Sequence, residues 1–219
     1  MPPTDKRSLL LDLDGTLADS LGVMKTVYRR FMESLGQTPS DAEFEHLNGP
    51  PIAECVRIVK ATHGLALSDA ELFARYQTLV EEVYGSVAPN AGAKDLLTAA
   101  KARGWTTGVV TSNGEARTRA WLAGAGLDGS IDVVVGGDEI ERGKPAPEPY
   151  LTALKLAKCE AKNARAVEDS PQGATAARAA GIATFALLHD PKQGSADWPA
   201  GVTFVNSLAE VKKRIEAED

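Results

Sequence analysis

The chain has 219 residues, 43% of them hydrophobic and 25% charged, with a formal net charge of −6. That length buries a full core and has room for one domain plus an insertion. The negative balance argues against general nucleic-acid binding, which depends on concentrated positive charge. It leaves an anionic substrate open, because a divalent cation and a few local cations reverse the field inside a pocket. Residues 1–7 lack an apolar signal segment, and no apolar run approaches the ~18 residues that span a bilayer. Cys55 and Cys159 stand too far apart in sequence for a metal knuckle. Free thiols in a reducing, cytoplasmic setting are therefore expected, with neither a nucleic-acid nor a membrane partner.

In chain order, Leu9-Leu10-Leu11 reads as a buried strand that runs into Asp12-Leu13-Asp14-Gly15-Thr16. Residues i and i+2 of a strand point the same way, so Asp12 and Asp14 are expected to emerge together as the chain leaves a sheet. Two anions that close require a compensating cation or a shared proton, and hard oxygen ligands suit Mg²⁺. Residues 17–88 then read as helical. Val23, Val27, Phe31 and Leu35 recur at helical spacing over residues 21–35. Ser40 with Glu43, and Ser68 with Glu71, each fit a capping box. Further helical runs cover residues 55–59 and 72–84. Leu47-Asn48-Gly49-Pro50-Pro51-Ile52 is too rich in Gly and Pro to be helix interior.

Beyond residue 90 the pattern alternates. Helices are expected at 91–103, 114–124, 149–158, 171–180 and from 208, with strands at 105–110, 131–135, 165–167, 182–188 and 202–205. In the helix at 149–158, Tyr150, Leu151, Leu154 and Leu156 are expected to supply apolar contacts. Such alternation predicts an α/β fold with a parallel sheet covered on both faces. The expected architecture is a doubly wound, Rossmann-like core made of residues 1–16 and 89–219, with an inserted all-helical domain at 17–88.

Three further positions carry chemistry. Thr111-Ser112-Asn113 sits where a strand meets a helix, and a hydroxyl with free backbone N–H groups there makes an anion site. Lys144-Pro145 places a cation in a loop. Glu168-Asp169-Ser170 forms a second acidic pair at a strand end, with Pro171 suited to the first helical turn. Both acidic pairs thus fall at the carboxyl ends of strands, the edge where open α/β sheets collect ligands.

In this order, the four motifs resemble those of the haloacid dehalogenase superfamily, over nearly the whole chain. Residues 144–150 and Glu168-Asp169-Ser170 are similar to the branch that contains β-phosphoglucomutase and small sugar-phosphate phosphatases. The resemblance implies a phosphatase with Mg²⁺ as cofactor and a small phosphorylated metabolite as substrate. It implies that Asp12 attacks phosphorus to form an aspartyl phosphate and that Asp14 is the general acid and base. Thr111 and the Ser112 and Asn113 amides would hold phosphate oxygens, and Lys144 would add positive charge there. Asp12, Asp14 (through its carbonyl) and Asp169 would hold the metal, while Glu168 orders its water shell. Residues 17–88 would be a mobile cap whose Asn48, Gly49 and Arg57 select the substrate. The competing readings are a sugar-phosphate mutase and a phospho-acceptor signalling module. Positions expected to hold a histidine and an arginine in the mutase are Met24 and Ile52 here. His46, His63 and His189 are expected to be surface or packing residues.

Overall fold

The computed structural model describes residues 6–47, 50–189 and 197–218. They fall into two compact units, one made of Met1–Ala18 with Pro89–Asp219 and the other of Asp19–Ala88.

In the first unit, six strands among the described residues form one parallel sheet in the order β3-β2-β1-β4-β5-β6. They are β1 (Ser8–Leu11), β2 (Thr106–Val110), β3 (Val133–Val135), β4 (Ala164–Glu168), β5 (Ala183–Leu187) and β6 (Thr203–Val205). Every residue of β1 is buried, as a continuous apolar run in a central parallel strand requires. The chain winds outward from β1 through β2 to β3, then returns to the far side of β1 to place β4. The strand order therefore reverses at β1, and ligands of such sheets bind outside the carboxyl ends of the strands at that reversal. Asp12 follows the last residue of β1, Thr111 the last of β2, and Glu168 closes β4.

Helices cover both faces, as the alternation predicts. The helix α7 (Glu148–Ala157) packs on β2 and β3, and α8 (Pro171–Ala179) on β4 and β5. Residues Leu10, Val110, Tyr150, Ala153, Ala166 and Ile182 belong to the core beneath them. The pair α5 (Ala93–Ala102) and α9 (Leu208–Glu216) pack together, with α5 against β2, and α6 (Glu115–Gly124) lies on β3. Some expected bounds shift. Helix α5 starts at Ala93 because Gly92 before it takes a left-handed backbone, φ +85°. In α7 only Tyr150 and Leu154 of the four expected apolar contacts are buried, whereas Leu151 and Leu156 are exposed. The 3.6-residue period puts 150, 153, 154 and 157 on one face and turns 151 and 156 away.

The second unit holds α1 (Leu21–Ser34), α2 (Asp41–His46), α3 (Ile52–His63) and α4 (Asp69–Tyr84), with α1 and α3 both packed on α4. Its core takes Val27, Tyr28, Phe31 and Met32 from α1 and Leu72, Tyr76 and Val80 from α4. Phe31 meets Tyr76 edge-on, with ring centroids 5.0 Å apart. Ser68 and Glu71 form the complete capping box, but Ser40 and Glu43 form only half of one. The Ser40 hydroxyl accepts from the Glu43 N–H, while the Glu43 carboxylate turns away to Tyr28 and His63. The Tyr28 hydroxyl donates to Glu43 Oε2 at 2.5 Å and accepts the Ser40 N–H at 3.0 Å, the donor that a reciprocal glutamate would have taken. Burial and the Glu43 carboxylate push the Tyr28 hydroxyl up to about 12.

Tyr28→Phe removes one partner each from Glu43 and from the Ser40 N–H. We expect it to destabilise the protein by about 1–3 kcal/mol, the cost of unsatisfied buried polar groups. Arg30→Ala, which breaks an exposed pair with Glu82, should change stability by less than about 1 kcal/mol. Thermal or urea melts of the two variants side by side check the contrast.

Candidate active site

The site is built around a buried lysine. Asp12 is still registered in the sheet, its N–H donating to Val167 O at 3.0 Å, so its side chain is fixed as β1 ends. Lys144 Nζ lies 2.6 Å from Asp12 Oδ1, 2.6 Å from Glu168 Oε1 and 2.9 Å from Val110 O. An ammonium has three hydrogens, and these three acceptors take them all. The Tyr150 hydroxyl donates to the same Glu168 Oε1 at 2.5 Å. Although the sequence places Lys144 in a loop between a glycine and a proline, its side chain is almost wholly buried.

Asp12, Glu168 and Asp169 each turn a carboxylate oxygen into a space where these atoms lie within 4.8 Å of one another. One lysine does not balance three buried carboxylates. Burial pushes the Asp169 carboxyl well above the usual range, and the charges on Asp12 and Glu168 push it further. Burial also raises Glu168, to about 7, against the pull of Lys144. For Lys144 burial works downward, but the Asp12 and Glu168 charges outweigh it and the ammonium is held above its ordinary value. Among the described residues neither Asp169 Oδ2 nor Glu168 Oε2, both buried, has a hydrogen-bond partner. Hard carboxylate oxygens that converge in this way fit a divalent cation.

Two glycines make room for this cluster. Gly15 has φ +79°, and a Cβ on it would lie 2.0 Å from Asp169 Oδ2. A Cβ on Gly173, in the first turn of α8, would lie 2.0 Å from Glu168 Oε2. The Asn90 side-chain amide pins the turn that follows Asp14 by donating to Gly15 O at 2.8 Å and Thr16 O at 2.9 Å.

On the β2 side, the Thr111 N–H donates to Val135 O, and its hydroxyl oxygen accepts the Asn113 N–H at 3.0 Å. The Asn113 amide expected to face phosphate is thus engaged within its own turn. Its side chain instead reaches Asp14, with Nδ2 donating to Oδ2 at 2.6 Å. Ser112 borders Gly137, where a Cβ would come within 2.5 Å of Ser112 O. The structure therefore gathers Asp12, Asp14, Thr111, Asn113, Lys144, Glu168 and Asp169 at one sheet edge. Asn48 and Gly49 lie outside the described residues. Arg57 is an exposed residue of α3, and the neighbouring Lys60 pairs with Asp69 at 2.8 Å.

Sequence reasoning missed several participants. Tyr150 was expected only as an apolar contact, and its position six residues after Lys144 carries no signal of a hydrogen bond to Glu168. Asn90 and Gly173 have no motif of their own. His189, expected to be a surface or packing residue, brings Nε2 to 3.8 Å from Asp169 Oδ2 at the end of β5.

Comparison with known proteins shows the family and the fold. The family model for haloacid dehalogenase-like hydrolases matches residues 9–187, and the chain belongs to that family. It is 32% identical over 192 residues to the phosphoglycolate phosphatase of Rhodospirillum rubrum, covering 84% of this chain and 80% of that protein. It is 25% identical over 205 residues to a bifunctional riboflavin kinase/FMN phosphatase of Arabidopsis thaliana, covering 93% of this chain but 54% of the plant protein. Among solved structures, the β-phosphoglucomutase of Clostridium difficile shares the fold with a TM-score of 0.83 at 17% identity, over 96% of each chain. Among the described residues no helix is long and apolar enough to cross a membrane.

The charge imbalance has a measurable sign. A carboxyl raised in the folded state favours folding while protonated and loses that contribution as pH rises through its folded value. In chelator, the wild-type protein should therefore lose stability as pH climbs from the ordinary carboxylate range through neutrality. Asp169→Asn should flatten that slope and melt at or above wild type near pH 8. Melting temperatures across pH 5–8 in EDTA test this, and a variant clearly less stable than wild type at pH 8 would contradict it.

Proposed function

We propose that this protein is a Mg²⁺-dependent phosphatase that hydrolyses a small phosphorylated metabolite, of the sugar-phosphate or phosphoglycolate type, through an aspartyl phosphate on Asp12. The observation that carries the reading is the fixing of Asp12 Oδ1 by a buried lysine beside unpartnered Asp169 and Glu168 oxygens. The Rhodospirillum rubrum relative, a phosphoglycolate phosphatase, supports the substrate class.

With Oδ1 held by Lys144, Asp12 Oδ2 is the attacking oxygen. Its electron pair forms the bond to phosphorus as the ester P–O bond breaks. The departing oxygen keeps that bond's electrons and takes a proton from Asp14. Water then attacks the aspartyl phosphate and gives its proton to Asp14, and the Asp12–phosphorus bond breaks to release phosphate and restore the carboxylate. General acid–base assistance of this kind contributes about 10²–10⁴-fold. The Thr111 hydroxyl oxygen already accepts the Asn113 N–H, so its hydrogen is directed outward to a phosphoryl oxygen, with Ser112 of the same turn lining the phosphate. The Lys144 ammonium lends charge while its hydrogens stay on Asp12, Glu168 and Val110.

The cation would be held by Asp12, Asp169 and the Asp14 carbonyl, with Glu168 ordering the water around it. When bound, it neutralises charge on the phosphoryl oxygens, which is most of what phosphoryl transfer asks of a protein. Residues 17–88 are assigned the role of a cap, with substrate choice made through Asn48, Gly49 and Arg57.

Asp12→Asn is nearly isosteric and should leave the fold intact while cutting phosphate release below about 1% of wild type, as expected when a nucleophile is removed. Retention of more than a few per cent would overturn the nucleophile assignment. In a Mg²⁺ titration of activity, Asp169→Ala should raise the half-maximal concentration about tenfold or more, within the range for lost metal ligation or its supporting contacts. Glu168→Ala should instead lower the maximal rate, because it removes one of the three partners that fix Lys144. Equal shifts of the Mg²⁺ requirement in the two variants would contradict this division.

A further inference from the structure

Asp14 is held by a two-residue relay that the motif reading leaves unused. Asn113 Nδ2 donates to Asp14 Oδ2 at 2.6 Å, and Arg117 Nη1 donates to Asn113 Oδ1 at 3.1 Å. The orientation of the amide follows from its neighbours. A guanidinium has only donors and an ionised carboxylate only acceptors, so Oδ1 faces Arg117 and Nδ2 faces Asp14. Only Asn or Gln can join those two groups in this way. Aspartate would set carboxylate against carboxylate, and serine is too short to span the gap.

The relay is anchored at both ends. Asn113 lies in the turn between β2 and α6, where its N–H donates to Thr111 Oγ1 at 3.0 Å and its carbonyl accepts the Gly137 N–H at 2.8 Å. Arg117 stands four residues on in the first turns of α6, the spacing that brings two side chains together on one helix face. Both side chains are half-buried.

We propose that Asn113 and Arg117 are positioning residues for Asp14. They hold Oδ2 so that the carboxylate presents Oδ1 to the departing oxygen and then to water. The Arg117 charge polarises the Asn113 amide and tightens its hydrogen bond to Asp14, as linked hydrogen bonds strengthen one another. Loss of the relay removes this hold on Oδ2 and leaves Asp14 its chemistry, so the proton is less often where the reaction needs it. The inference rests on the acid–base role given to Asp14 above.

The test compares kcat/KM for two esters with different need of a proton donor. p-Nitrophenyl phosphate releases a stable phenolate without protonation, whereas glycerol 2-phosphate releases an alkoxide that needs the proton. Because kcat/KM reports events up to departure of the leaving group, it isolates the acid step. Asn113→Leu should lower kcat/KM on glycerol 2-phosphate about tenfold or more, and by at least about fivefold more than on p-nitrophenyl phosphate. Arg117→Met should show the same selective loss at about threefold, and Arg117→Lys, which keeps a donor, should regain most of it. Should Asn113→Leu fail to fold, the ester ratio read from the two Arg117 variants decides. Equal losses on the two esters or unchanged activity would overturn the positioning role while the wild type remains an active phosphatase. A wild type that releases phosphate from neither ester would overturn the phosphatase reading, and this role with it.

Discussion

The contact on which the rest of the site depends is Lys144 Nζ held between Asp12 and Glu168 in the protein interior. Moving one ammonium and two carboxylates out of water costs several kcal/mol per ion unless each finds partners of good geometry. Here each finds them. The ammonium spends its hydrogens on two carboxylates and the Val110 carbonyl, and Glu168 gains the Tyr150 hydroxyl as well. What remains, once Asp169 is counted, is an excess of two negative charges. Asp169 lies in the same space with an unpartnered oxygen and a carboxyl pushed far up by burial and by its neighbours. The charges of Lys144 and the three carboxylates come close to balance when a divalent cation joins them. The same excess charge that makes the region costly to fold therefore makes it a place for a cation.

Sheet topology delivers these groups and glycine makes room for them. Because the strand order reverses at β1, the ends of β2, β1 and β4 are adjacent, and the residues that follow those strands converge with no further device. The cluster is so tight that side chains are forbidden at two nearby positions, where Gly15 and Gly173 stand against Asp169 and Glu168. For Gly15 a second reason adds to the first, since its positive φ is a conformation that L side chains rarely adopt. Asn90 then holds the carbonyls of Gly15 and Thr16, so the turn that carries Asp14 is fixed from below as well as through Asn113.

Polar networks also organise the helical unit. Within it, Glu43 joins Tyr28 of α1 and His63 of α3, so that short α2 is tied to two longer helices by one carboxylate. A six-residue helix is marginal by itself, and this tether, with the Ser40 cap, supplies what local propensity does not. The half-formed capping box at Ser40 shows how a local rule yields when a tertiary partner offers the carboxylate a better-buried contact.

Much of this was legible in the chain itself, and the reason is periodicity. Leu9-Leu10-Leu11 could only be a doubly buried strand, the alternation after residue 90 could only give a covered parallel sheet, and the acidic pairs at strand ends marked the edge where a ligand would sit. These signals are local, so they survive without coordinates. The burial of Lys144 was not legible, because a lysine between glycine and proline looks like any solvated turn until the sheet brings Asp12 and Glu168 to it from 132 and 24 residues away in sequence. Nor were the roles of Tyr150, Asn90 and the Asn113 side chain, or the approach of His189 to Asp169. Each is a contact between groups distant in sequence, or between side chains whose directions local pattern does not fix. The sequence by itself determined which residues carry charge and at which ends of which strands. Only tertiary structure decided which of those charges are paired, which hydrogen bonds are already taken, and which carboxylate oxygens converge, because desolvation and long-range convergence exist only once the chain is folded.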